Sequence, residues 1–224
     1  MYYSGDRLCY NFLMKKRIVY FLSSIFLLVA FVVFSYIVST DIFNQFDFNT
    51  TVRVQNNVPK KFDFYFSILS LIGNIETYIF LLAVIIIIRR QLRGLLTLIV
   101  FAGVHVIELV GKALLYHPGP PFMFFRYNLD FIFPSTYVKP GYSYPSGHSL
   151  RVSFIGVFLL YLILKNKKIS FLMKSLLSLI IILFTTAMVF SRVSLGEHWL
   201  TDVIGGVLLG ASGAFFAISL DKSY

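Results

Sequence analysis

The chain has 224 residues, of which 58% are hydrophobic and 13% charged, with a mean hydropathy of +0.79 and a formal net charge of +10. No soluble domain of this size hides so much apolar side chain, so the sequence predicts one integral-membrane domain over residues 1–224. The basic residues lie between apolar runs rather than on one soluble face, which excludes a nucleic-acid partner. The single Cys9 excludes an intrachain disulfide.

A helix needs about 20 mostly apolar residues to cross a bilayer. Six stretches qualify, at 18–38, 66–88, 93–115, 149–164, 170–190 and 198–219. This predicts an all-α, six-span bundle. The first stretch follows Lys15-Lys16-Arg17 like a signal peptide, but its apolar part is too long and no clean cleavage site follows, so it reads as a retained anchor. The fourth is short and must be shielded by its neighbours. Arg7 and Lys15 to Arg17 precede span one; Arg89, Arg90 and Arg93 separate spans two and three; Lys165, Lys167, Lys168 and Lys174 lie between spans four and five. The positive-inside rule makes those segments cytoplasmic, together with both termini and Lys222. Their charge is expected to meet anionic headgroups.

Segments 39–65, 116–148 and 191–197 then face outward. The first mixes Asp41, Asp47, Arg53 and Lys60-Lys61 with Phe43, Phe46, Phe48, Phe62, Phe64 and Tyr65, the pattern of an interfacial, partly helical segment. Its Asn49-Thr50-Thr51 reads as a chance tripeptide rather than a glycosylation sequon. Span three contains His105, Glu108 and Lys112 on one face, a polar stripe that must turn into the bundle. Glu108 and Lys112, four apart, fit a structural pair, while Lys112 sits near enough the outer end to reach a headgroup ligand. The loop beyond carries His117-Pro118-Gly119-Pro120-Pro121, Arg126, Asp130 and Lys139, and ends in Tyr144-Pro145-Ser146-Gly147-His148. There Ser146 can cap the next helix and Gly147 lets its backbone approach an anion at the helix amino terminus.

The stretch from Ser191 to Asp202 gathers Arg192, Glu197, His198 and Asp202 between two apolar runs. With a helix starting near Glu197, His198 and Asp202 share a face, and the carboxylate can fix one imidazole nitrogen and leave the other free to attack. Arg192 offers a planar fork to a phosphate. On this segment alone the residues fit equally well a satisfied interfacial histidine beside a helix-capping acid. Tyr142, Tyr144 and Trp199 read first as interfacial anchors.

Together, Lys112, Pro145-Ser146-Gly147-His148, and Ser191-Arg192 followed after five residues by His198 and after three more by Asp202, resemble the three-part signature of the type-2 phosphatidic acid phosphatase family of membrane lipid phosphatases. Spans three to six carry the resemblance. The first part departs from the pattern: Gly119 stands where the family has an arginine before Pro120. Arg151, three residues beyond His148, is the preferred stand-in and Arg126 the other, although a solvated loop charge suits Arg126 better.

The resemblance implies a metal-independent phosphatase acting on a lipid phosphate or diphosphate at the outer face of the plasma membrane. His198 would be the nucleophile, forming a phosphohistidine; Asp202 would orient it; His148 would be the acid and then the base. Lys112, Ser146, Gly147 and Arg192 would hold the phosphoryl oxygens. No cofactor is expected, and the cations beside the histidines would oppose a metal ion. Phosphatidic acid, lysophosphatidic acid, phosphatidylglycerophosphate and undecaprenyl diphosphate all fit. A lipid-dependent phosphotransferase using the same histidine, and a non-catalytic lipid-binding protein, are the alternatives.

Overall fold

The computed structural model describes residues 4–89, 94–131 and 142–221. Lys139, Arg90, Arg93 and Lys222 lie outside them, as do the side chains of Arg7, Cys9 and Arg89. Among the described residues the architecture is all helical: α1 (Ser4–Val38), α2 (Asn44–Asn57), α3 (Asp63–Ile72), α4 (Ile75–Arg89), α5 (Gly94–Leu114), α6 (Gly147–Lys165), α7 (Phe171–Ser194) and α8 (Leu200–Leu220). Short 3-10 turns at Lys60–Phe62 and Phe122–Phe124 complete it. Parts of α1, and all of α5, α6, α7 and α8, are long and apolar enough to cross a membrane.

Span two departs from expectation. The run 66–88 is two helices, α3 and α4, bent by 56° at Gly73-Asn74, and only the bent pair passes the same test of length and hydropathy. A break inside a bilayer must have its freed backbone groups satisfied from within the protein. Here α6 does this: Arg151 Nε donates to Gly73 O at 2.9 Å, and His148 Nε2 lies 3.1 Å from Ser70 O. The His148 ring lies so close to Gly73 that a side chain there would overlap it. The break is therefore where α6 inserts its polar end.

Helices α6 and α8 form the centre. Their backbones approach closely because Gly206 and Gly210 on α8 lie against the carbonyls of Ser146 and Leu150, where any side chain would collide. On the other side of α8, α1 is fastened by Ser212 Oγ to Ser24 O at 3.0 Å and Arg17 Nε to Ser219 O at 2.8 Å. The short fourth span is shielded by neighbours, as its length requires: residues 147 to 156 of α6 are buried throughout.

The segment 39–65 is helical over α2, but it does more than lie at an interface. Asp47 and Thr51 are buried, and Asp47 accepts from both Thr201 N (3.0 Å) and Thr201 Oγ1 (2.5 Å) at the start of α8. Gln55 Nε2 donates to Phe124 O at 2.6 Å and Ser194 O at 3.0 Å. One face of α2 thus clasps the turn between α7 and α8. Tyr144 also departs from an anchoring role: it is fully buried, stacked on Phe31, with its hydroxyl 2.8 Å from Ser35 Oγ.

Candidate active site

The turn after α7 builds one wall. The Arg192 carbonyl receives both Glu197 N (3.0 Å) and His198 N (3.3 Å), which folds the chain back on itself. Gly196 makes this possible with φ +65°, a left-handed conformation that glycine adopts without steric cost. Helix α8 begins at Leu200, later than expected, so His198 lies just outside it. Asp202 occupies the third helical position, and its Oδ2 accepts from Trp199 N at 3.0 Å as an amino-terminal cap. His198 Nδ1 reaches the same oxygen at 3.3 Å. The pairing expected from helical spacing is thus made by cap geometry.

Three more groups converge on Asp202, which is fully buried. Ser143 Oγ donates to Oδ2 at 2.5 Å and lies 3.1 Å from His198 Nδ1, bridging the two. The Asp202 carbonyl accepts from Ser146 N at 2.9 Å, joining the turn before α6 to α8. His117 Nδ1 stands 2.9 Å from Oδ1, an ion-pair contact without hydrogen-bond alignment. Burial of His117 opposes its charge, yet Asp202, with Asp47 and Asp41 beyond it, outweighs this and raises its proton affinity above the usual imidazole value. With Nδ1 committed, His198 Nε2 has no hydrogen-bond partner among the described residues.

The opposite wall comes from α5 and α6. Ser146 caps α6, its Oγ accepting from Ser149 N at 3.4 Å and from Ser149 Oγ at 3.1 Å. The anion that approaches Gly147 is the Glu108 carboxylate, packed where a β-carbon would have to be. Lys112 Nζ donates to Glu108 Oε1 at 2.7 Å, the pair its spacing foretold. Arg151 lies beside the same glycine, with NH2 3.3 Å from His148 Nδ1. Arg151, Arg192 and His198 all lie within electrostatic reach of His148.

Arg192 is fully buried and heavily engaged. NH1 donates to Ser70 Oγ at 2.8 Å and to Glu197 Oε2, and NH2 and Nε donate to Ser191 Oγ at 2.8 and 3.2 Å. Arg126 stands apart, which corrects its candidacy: its guanidinium is held by Asp63 at 3.0 Å and by the carbonyls of Gln55 and Val58. It fastens α2 to α3 and is no solvated charge. Position 119 adjoins Ser143, with room for a β-carbon 3.4 Å from Ser143 Oγ, so the absent arginine would start beside His198's bridging hydroxyl.

A model of the PAP2 superfamily matches residues 19–222, nearly the whole chain. The chain belongs to the PAP2 superfamily. Among relatives of this superfamily, the chain is 29% identical over 150 residues to phosphatidylglycerophosphatase B of Bacillus subtilis, covering 64% of this chain and 68% of that one. It is 34% identical over 97 residues to undecaprenyl-diphosphatase of Sulfolobus acidocaldarius, 42% of each chain. Its fold resembles that of a transmembrane PAP2-type phosphatidylglycerolphosphate phosphatase from Bacillus subtilis, with TM-score 0.71, 21% identity, and 88% and 94% of the two chains covered. Aquifex aeolicus LpxE is a second structural likeness of the PAP2 chain, with TM-score 0.57, 18% identity, and coverage of 76% and 93%.

Sequence reasoning missed Ser70, His117, Ser143 and Asp47 as parts of this cluster, and it gave Glu197 no role there. Gly73-Asn74 inside an apolar run was the available signal for the break near which Ser70 meets Arg192 and His148. Asp47 carried none, because its surroundings in sequence are those of any interfacial helix.

Proposed function

We propose that the protein is a membrane phosphatase that hydrolyses a lipid phosphate or diphosphate through a phosphohistidine on His198. The observation that carries this reading is the state of His198: Nδ1 is tied to Asp202 and Ser143, so the Nε2 lone pair is the free nucleophile. Membership of the PAP2 superfamily and the names of the two relatives support the substrate class.

In the proposed reaction Nε2 attacks phosphorus and the bond to the lipid oxygen breaks, with the Asp202 carboxylate balancing the positive imidazole. His148 protonates the leaving oxygen. At rest Arg151 is placed to donate to His148 Nδ1 and Nε2–H faces Ser70 O, which describes a neutral ring. The substrate phosphate, arriving as its monoanion, gives its proton to His148 Nδ1 as Arg151 turns toward the phosphoryl oxygens, and the doubly protonated ring then serves the leaving oxygen. His148 then takes a proton from water, which attacks phosphorus, breaks the P–N bond and frees His198. Lys112, Arg192, Arg151 and the Gly147 N–H stabilise the equatorial oxygens. Arg126 has no part in this.

The basic segments 15–17 and 165–168 support a topology with six spans, the bent pair α3–α4 counted as one, both termini cytoplasmic and the site facing outward from the plasma membrane. The test is phosphate release by purified protein in detergent from a panel of lipid phosphates, for wild type and His198→Ala. Turnover in wild type alone supports the reading; equal turnover in the mutant rejects the nucleophile, and release that requires an added acceptor favours the phosphotransferase.

A further inference from the structure

Arg192 has five N–H donors, and contacts to Ser70, Glu197 and Ser191 already take four of them, including both on NH1. A planar guanidinium grips phosphate best through two parallel bonds. That grip cannot form while Glu197 and Ser70 hold NH1. Ser70 also donates to Glu197 Oε1 at 3.1 Å and Oε2 at 3.4 Å, so the carboxylate is fastened on two sides. A flat anion bound by an arginine and a hydroxyl is the chemistry of a bound phosphoryl group. We propose that Glu197 is a tethered competitor: its carboxylate occupies the anion clamp between turnovers and must be displaced by the substrate's phosphate, which sets how tightly phosphate groups bind.

This rests on the reading that Arg192 receives the phosphate. The tether has a physical reason: a buried guanidinium left without a counter-charge strongly destabilises the fold, so the empty site keeps one of its own. Glu197 stands one residue before His198, and both backbone N–H groups bind the Arg192 carbonyl. Displacement of the glutamate side chain is therefore transmitted to the nucleophile's own backbone. The like charge disfavours retention of the phosphate product as much as it opposes entry of substrate, so it limits product inhibition.

The experiment measures binding of inorganic phosphate to the full chain in detergent by its stabilisation against heat, for wild type, Glu197→Gln and Ser70→Ala. The glutamine keeps a hydrogen-bonding side chain and removes the charge; the alanine frees an Arg192 donor and unfastens the carboxylate. Both variants are expected to lower the apparent Kd for phosphate, by about tenfold for Glu197→Gln. Unchanged or weaker binding in a folded Glu197→Gln overturns the proposal, and if that variant does not fold, Ser70→Ala decides in the same way. Arg192→Lys in parallel separates the two readings: if wild-type phosphate binding survives it undiminished, Arg192 is not the clamp and the underlying assignment fails. If binding weakens there but does not tighten at position 197 or 70, only the tether is wrong.

Discussion

Removing the Asp47 side chain should loosen the start of α8 and with it the nucleophile. Thr201 is the second residue of α8, where backbone N–H groups have no partner within the helix. Asp47 supplies that partner from α2, with bonds to the N–H at 3.0 Å and to Oγ1 at 2.5 Å, in a site from which water is excluded. Asp47→Ala strands both donors. At about 1–3 kcal/mol for each stranded group, and allowing the hydroxyl to rotate, the expected loss is about 2–4 kcal/mol. For a chain of this size that is a fall of about 4–16 °C in Tm. Asp47→Asn should behave differently. Burial pushes the Asp47 carboxyl above its ordinary value, and the Thr201 bonds only partly oppose this. The charged form is thus the less favoured one in the fold, and an amide of the same shape should cost within about 1 kcal/mol at neutral pH. The proton-linked part of the wild-type stability is full below the unfolded value of 3.8 and is lost as pH rises through the higher folded value, so the comparison shifts in favour of asparagine across that window. The assay is thermal unfolding in detergent followed by tryptophan emission, because the only tryptophan, Trp199, is the residue that caps the start of α8. An alanine variant that melts with wild type, or an asparagine variant as damaged as the alanine, would refute the reasoning.

Other substitutions separate groups that the sequence alone leaves alike. Arg126→Ala breaks a buried pair with Asp63 and should cost about 3 kcal/mol in thermal stability with KM unchanged; a raised KM without destabilisation would place it at the phosphate after all. Arg151→Ala removes one of the donors assigned to the equatorial oxygens and should lower kcat by about 10²-fold or more, read as phosphate release at saturating lipid. Gly147→Ala puts a methyl into the Glu108 carboxylate and Arg151, and should cost about 1–3 kcal/mol in stability together with most of the turnover. His117 holds its proton more tightly in the fold than out of it, so its contribution is full below about pH 6.5 and lost as pH rises through the folded value; melts of wild type against His117→Gln should differ most in acid and converge above neutrality.

The parts of this site visible in the sequence are those where chemistry and local spacing coincide. Ser146 caps the helix it was expected to cap, Glu108 and Lys112 pair at one helical turn, and Arg151 turns inward because a charge in a span has nowhere else to go. Even there the local geometry differs: His198 meets Asp202 through a cap, because α8 starts at Leu200 and not at Glu197. What stayed hidden depends on distant segments meeting. Ser70 reaches Arg192 across 122 residues only because α3 ends at Gly73, and Asp47 reaches Thr201 across 154. His117 sits in a proline-rich loop whose sequence says only that helix is blocked; its hold on Asp202 follows from Ser143 N bonding its carbonyl at 3.0 Å. Tyr144 reads as an anchor because hydropathy cannot tell a ring at the interface from one stacked on Phe31 inside.

The most direct test of a nucleophilic His198 is to stop the reaction in alkali shortly after mixing with a lipid phosphate labelled on phosphorus, then locate the label by peptide mass. A phosphoryl group on His198, absent from His198→Ala and longer-lived in His148→Ala, is the predicted result. Label on any other residue, or phosphate release by His198→Ala at the wild-type rate, would contradict it.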